Sequence, residues 1–164
     1  MVVLMRSKTD CEVAALATAL GTTWEESQKL LDWRRLPKGL ENPVFGNPLN
    51  LYRALVDAGY WKMNKTLTQL LRGDYTPGKC IVLIHNPSNP TLQQHWIVLG
   101  AKRPDHGGFE VFWGDSEQPR FITESMLKEY FLGGWPNCSF EPYKAHMTRI
   151  WWEKIKAFFG VRSE

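Results

Sequence analysis

Thr9-Asp10-Cys11-Glu12-Val13-Ala14-Ala15-Leu16-Ala17-Thr18-Ala19-Leu20-Gly21 is a helix with its start and stop written into it. Thr9 and Glu12 have the spacing of a capping box, in which each side chain satisfies the other residue's backbone N–H. The Ala/Leu run from Val13 to Leu20 is strongly helix-forming. Gly21 supplies the left-handed residue that ends such a helix. Cys11 therefore falls in the first turn. Free backbone N–H groups and the helix dipole there favour a thiolate, so a lowered thiol pKa is expected. A free cysteine is also, more plainly, a small buried hydrophobe.

Working outward, Thr22 or Thr23 caps a second helix that opens with Trp24-Glu25-Glu26 and runs to Asp32 or Trp33. Residues 34–48 carry Pro37, Gly39, Pro43, Gly46 and Pro48 and read as loop. Helices follow over Leu49–Ala58 and Leu67–Leu71, stopped by Gly59 and Gly73. Towards the N-terminus, residues 1–8 read as a short arm or edge strand.

The pattern then changes. Cys80-Ile81-Val82-Leu83-Ile84-His85 is a continuous apolar run between turn signals, hence a buried strand. His95–Leu99 and Phe109–Trp113 are two more. A helix over Thr123–Leu132 ends at Gly133-Gly134, and an amphipathic helix spans about 145–159. Met147, Ile150, Trp151, Ile155, Phe158 and Phe159 line its apolar side, expected to dock on the domain's own core. With Arg149, Lys154 and Lys156 beside it, a membrane or partner contact is the other use of such a helix. Helices first and an antiparallel sheet second make an α+β chain, read as one domain over residues 1–164.

Composition narrows the function classes. The 164 residues are 43% hydrophobic and 23% charged, which suits a globular protein with a sizeable core. A net charge of +3 without a Lys/Arg run gives no support to a nucleic-acid partner. Cys11, Cys80 and Cys138 form neither a CxxC pair nor an even disulfide set, so neither a structural zinc nor a secreted framework is expected. Met1–Met5 is too short for a signal h-region, and no run reaches a membrane span, so a reducing cytoplasm is the expected compartment.

Two further residues give Cys11 a chemical context. His95 opens a strand, where its ring can face a cleft while Trp96–Leu99 enter the core. Asp115, in Trp113-Gly114-Asp115-Ser116, follows the next strand, where a carboxylate can hold an imidazole in one tautomer. A core histidine and a turn-forming aspartate are the plainer alternatives.

The order of these pieces resembles the papain-like cysteine peptidase superfamily, and most of all the bacteriocin-leader (double-glycine) peptidases and peptidase-like proteins of bacteriophages. That family's first block looks like Asp-Cys-Gly-x-Ala-Ala-Leu-Ala, then a glycine break and a Tyr/Trp-Glu-Glu helix. Here it is Asp10-Cys11-Glu12-Val13-Ala14-Ala15-Leu16-Ala17, then Gly21 and Trp24-Glu25-Glu26. The second block, His-Trp/Phe-Val-Val-Leu, is matched by His95-Trp96-Ile97-Val98-Leu99. The third, a hydrophobic strand ending in Asp, is matched at Asp115. The likeness spans roughly residues 5–118.

The resemblance implies a papain-like fold, in which an N-terminal helical part carries the cysteine helix against an antiparallel sheet. It implies a thiol hydrolase, in the first place a cysteine peptidase, with Cys11 as nucleophile, His95 as base and Asp115 as the orienting residue. A peptide or protein would be the substrate, and no cofactor is implied. Two departures stand out. Glu12 follows the cysteine where the family often has Gly, and Met5 stands where the family carries its oxyanion-hole Gln. They give weight to the alternative of a weak or inactive peptidase-like binding module, for example a phage protein acting on a host protein.

Overall fold

The computed structural model describes residues 1–7, 10–32, 48–85, 94–132 and 139–144. The expected helix at 145–159, the loop over 34–47, Thr9, Asn86 and Cys138 lie outside the described residues.

The apolar runs form the middle of the sheet. Strand β2 (Cys80–His85) pairs antiparallel with β3 (Gln94–Arg103), which pairs with β4 (Gly108–Phe112). Three further strands were not expected: β1 (Tyr60–Asn64), β5 (Arg120–Thr123) and β6 (Ser139–Lys144). They extend the sheet to six antiparallel strands in the order β1-β6-β2-β3-β4-β5.

Side-chain alternation splits the core into two layers. Ile81, Leu83, Trp96, Val98 and Phe140 face helices α1 (Cys11–Leu20) and α3 (Pro48–Asp57), against Leu16, Leu51 and Leu55. Val82, Ile84, Ile97, Leu99, Val111 and Trp113 face the other way, towards α4 (Leu67–Arg72) and α5 (Glu124–Tyr130). Helix α1 is buried nearly all round, and its alanines let it lie close against β3. Leu16 is fully buried there; truncating it to Ala should cost about 2–5 kcal/mol. The fold is thus α+β, with the cysteine helix packed on an antiparallel sheet, as expected.

Local signals held where side chains decide them. Thr23 and Glu26 form a capping box at the start of α2 (Trp24–Leu30), and Gly21 ends α1 in the left-handed conformation. Two expectations are corrected. The N-cap of α1 is Asp10, and its carboxylate makes no cap bond. It turns back instead to accept the N–H groups of Arg6 (2.9 Å) and Ser7 (3.1 Å) and the indole N–H of Trp24 (3.0 Å). The N-terminal arm is not a strand over residues 1–7. Val3 N–H donates to Thr18 Oγ1 (2.9 Å), Met5 N–H donates to the Gly114 carbonyl (2.7 Å), and Arg6 pairs with Glu25. Among the described residues no helix is long and apolar enough to cross a membrane.

Candidate active site

Cys11 is the first residue of α1 and is half-buried. The Asp10 carboxylate fixes the turn that delivers it. The backbone N–H groups of Trp96, the residue that follows His95 on β3, and of Glu12 act on its thiol. Both favour the thiolate. Burial acts against it and is the larger effect, with the carboxylates of Glu12 and Asp10 adding to it, so the thiol pKa is raised. The expected lowering by the helix terminus is therefore overturned in this structure.

His95 lies at the mouth of β3 and is only 5% exposed. Its Nε2 is 2.8 Å from the backbone carbonyl oxygen of Trp113. Its ring stacks on the Trp113 indole, with centroids 5.1 Å apart and planes at 22°. Burial holds the imidazole below its ordinary pKa. The Trp113 hydrogen bond and the Asp115 charge pull it back up, while the Arg120 charge opposes them.

A carbonyl oxygen can only accept, so Nε2 must carry the proton. In the neutral ring Nδ1 is then the basic nitrogen. The backbone of Trp113 thus does what a triad carboxylate does for its histidine: it selects a tautomer and fixes the ring. Gly114 makes this geometry affordable. It adopts φ +87°, and a Cβ there would lie 3.2 Å from Met5 Cγ.

Asp115 is partly exposed just beyond β4, and its carboxylate is ion-paired with Arg120 at the start of β5. The Arg120 guanidinium lies 5.1 Å from the Trp113 ring centroid. Asp115 thus reaches His95 through its charge, whereas the hydrogen bond to the ring comes from Trp113. Asp105 pairs with His106 in an exposed turn.

The structure brings His95, Trp113, Asp115 and Arg120 into one cluster. It brings Cys11 to the same strand mouth through the Trp96 backbone. No thiol–imidazole hydrogen bond is formed among the described residues. Met5, at the position of the family's oxyanion donor, uses its N–H on Gly114. Ser7 gives its N–H to Asp10. Ala14, Ala15, Thr18, Trp96 and Gly114 line a shallow crevice beside the cysteine helix with no room for a water molecule. Cys80 is fully buried, and burial pushes its thiol far up.

The sequence missed two members of the cluster. Trp113 contributes its backbone carbonyl, which no residue letter marks. Arg120 was one charge among many, and its place close behind Asp115 was the single available signal.

No protein-family model matches the chain, and no curated protein sequence does. Solved structures do. The peptidase domain of Streptococcus ComA, a bifunctional ABC transporter involved in quorum sensing, matches with a TM-score of 0.59 at 16% identity, over 87% of this chain and 97% of that one. A double-glycine-motif protease from an AMS/PCAT transporter, solved in complex with the leader peptide, matches with a TM-score of 0.59 at 17% identity, over 87% and 91%. The peptidase domain of Streptococcus mutans ComA gives 0.57 at 15% identity, over 86% and 97%. The fold is that of papain-like, double-glycine cysteine peptidase domains.

Proposed function

We propose that this chain is a cysteine peptidase acting through Cys11 and His95. The observation that carries the proposal is the seat of the Cys11 thiol at a helix N-terminus, beside the backbone of the residue that follows His95.

Catalysis runs through a neutral pair. His95 Nδ1 takes the thiol proton as the sulfur attacks the peptide carbonyl. The S–C bond forms and the carbonyl electron pair moves onto oxygen. First-turn N–H groups of α1, which the helix itself does not use, are the donors nearest to that oxyanion. Collapse expels the amine, which takes the proton from His95 and leaves a thioester on Cys11. Water, deprotonated by His95, then releases the acid and restores the thiol. Asp115 stabilises the imidazolium by its charge. The substrate is a peptide, as the leader-peptide complex of the AMS/PCAT protease suggests for this fold.

A raised thiol, a lowered imidazole and a Met5 N–H already in use favour a second reading, a peptidase-like binding module with little turnover. A peptide library incubated with the protein and with Cys11→Ala separates the two. Cleavage by the parent alone supports the peptidase. Equal binding by both, without cleavage, supports the module.

A further inference from the structure

We propose that Arg120 is a positioning residue for the imidazole: by tethering the Asp115 carboxylate beside the Trp113 ring, it leaves His95 held by the Trp113 carbonyl and keeps Asp115 in reserve. This rests on His95 being the base, but it concerns the ring and not turnover.

Three contacts converge on Arg120. It is ion-paired with Asp115, its guanidinium lies over the Trp113 ring, and that ring carries His95 on it at 5.1 Å. The tether links a turn to a strand. Asp115 follows β4, and Arg120 opens β5, in register with Val111. The His95 ring therefore has two candidate acceptors within a few residues of each other, the Trp113 carbonyl and the Asp115 carboxylate, and the structure uses the first. A carboxylate is the stronger acceptor for an imidazolium. What diverts it is the cation on β5.

Among the described residues, few charged groups face this cluster. Asp115 comes from the turn and Arg120 from β5. Across the strand mouth, α1 contributes Cys11, with Asp10 and Glu12 beside it. His85 ends β2 opposite Gln94. Asp115 and Arg120 are the two whose charges bear on the imidazole, with opposite signs. Their side chains are 37% and 47% exposed, so the pair is screened by water and able to exchange.

The test is the His95 titration, read by long-range proton–nitrogen NMR on the full-length chain. Arg120→Gln should raise the His95 pKa by about one unit, the scale of an opposite charge brought close. In an Asp115→Asn background the same substitution should move it far less, because there is no carboxylate to release. Arg120→Lys, which keeps the charge without the fork, should fall between Gln and the parent. An equal rise in both backgrounds would reduce Arg120 to a through-space charge and overturn the tether; so would no rise at all. If Arg120→Gln does not fold, Arg120→Lys carries the same two-background comparison. A chain that cleaves no peptide yet shows this pattern keeps the tether and loses the peptidase reading.

Discussion

His95 Nε2 and the Trp113 carbonyl oxygen lie 2.8 Å apart, so the orienting partner of the candidate base is main chain. The neutral ring must then be the Nε2–H tautomer, with the lone pair on Nδ1. Nitrogen chemical shifts of the His95 ring above its titration range check this directly. A protonated Nδ1 would break the link between Trp113 and the chemistry.

Alkylation of Cys11 should follow the resting electrostatics. Its thiol lies above the ordinary value of 9.0, with burial the main cause. The thiolate fraction is therefore small at neutral pH, and the iodoacetamide rate should climb with pH through a midpoint above that value. Cys80, fully buried and raised still further, should react later. A rate already at plateau in mild acid would mean a thiolate–imidazolium pair in the resting protein, contrary to this structure. Mass-mapped rates across a pH series decide it.

The share of this architecture that could be read from sequence follows from where the physics is local. The Val13–Leu20 run and Gly21 mark α1 because helix propensity and the left-handed stop are properties of those residues alone. Cys80–Ile84 betrays β2 because it is buried on both faces. Strand β1 carries exposed Trp61 and Met63, β5 begins with exposed Arg120 and Phe121, and β6 contains Pro142, a residue that argues against a strand. These strands exist through pairing with distant partners, which a local pattern does not reveal. The candidate site divides the same way. Cys11 and His95 announce themselves by side chain. The Trp113 carbonyl and the diversion of Asp115 onto Arg120 are products of the fold.

Acid should destabilise the protein through His95. Its folded pKa is lowered below the ordinary 6.5, so the unfolded chain binds the proton more readily. The corresponding stability is present above 6.5 and is lost as pH falls through the folded value, by about 1.4 kcal/mol per unit of separation at most. The difference in unfolding free energy between the parent and His95→Gln should shrink as pH drops from 7 to 5. Urea titrations at fixed ionic strength measure it. A constant difference would place the imidazole in water.

Cys11→Ala should abolish cleavage and leave the fold in place. The residue is only half-buried and opens a helix, where Ala is well tolerated. A stability loss within about 1 kcal/mol is expected, against the 2–5 kcal/mol of a core truncation such as Leu16→Ala. Thermal melts beside a peptide-cleavage assay provide both readouts. A core-sized loss would make Cys11 a packing residue, and retained cleavage would move the nucleophile elsewhere.

Gly114→Ala should damage stability and the base together. The glycine sits at φ +87°, where an L-residue costs roughly 1–2 kcal/mol before any contact is counted. The added Cβ would also meet Met5 Cγ at 3.2 Å and Ala14 Cβ at 3.7 Å, on the side facing the N-terminal arm and α1. Met5 N–H is bonded to the Gly114 carbonyl, so the arm cannot yield without losing that anchor. The peptide that must move instead is the one joining Trp113 to Gly114, and its carbonyl is the acceptor that holds His95. A shift there loosens the ring. The expected result is a drop of about 1–3 kcal/mol in unfolding free energy and a larger share of the Nδ1–H tautomer in the His95 spectrum. A variant as stable as the parent, with an unchanged His95 spectrum, would show that the Gly114 turn does not control the imidazole.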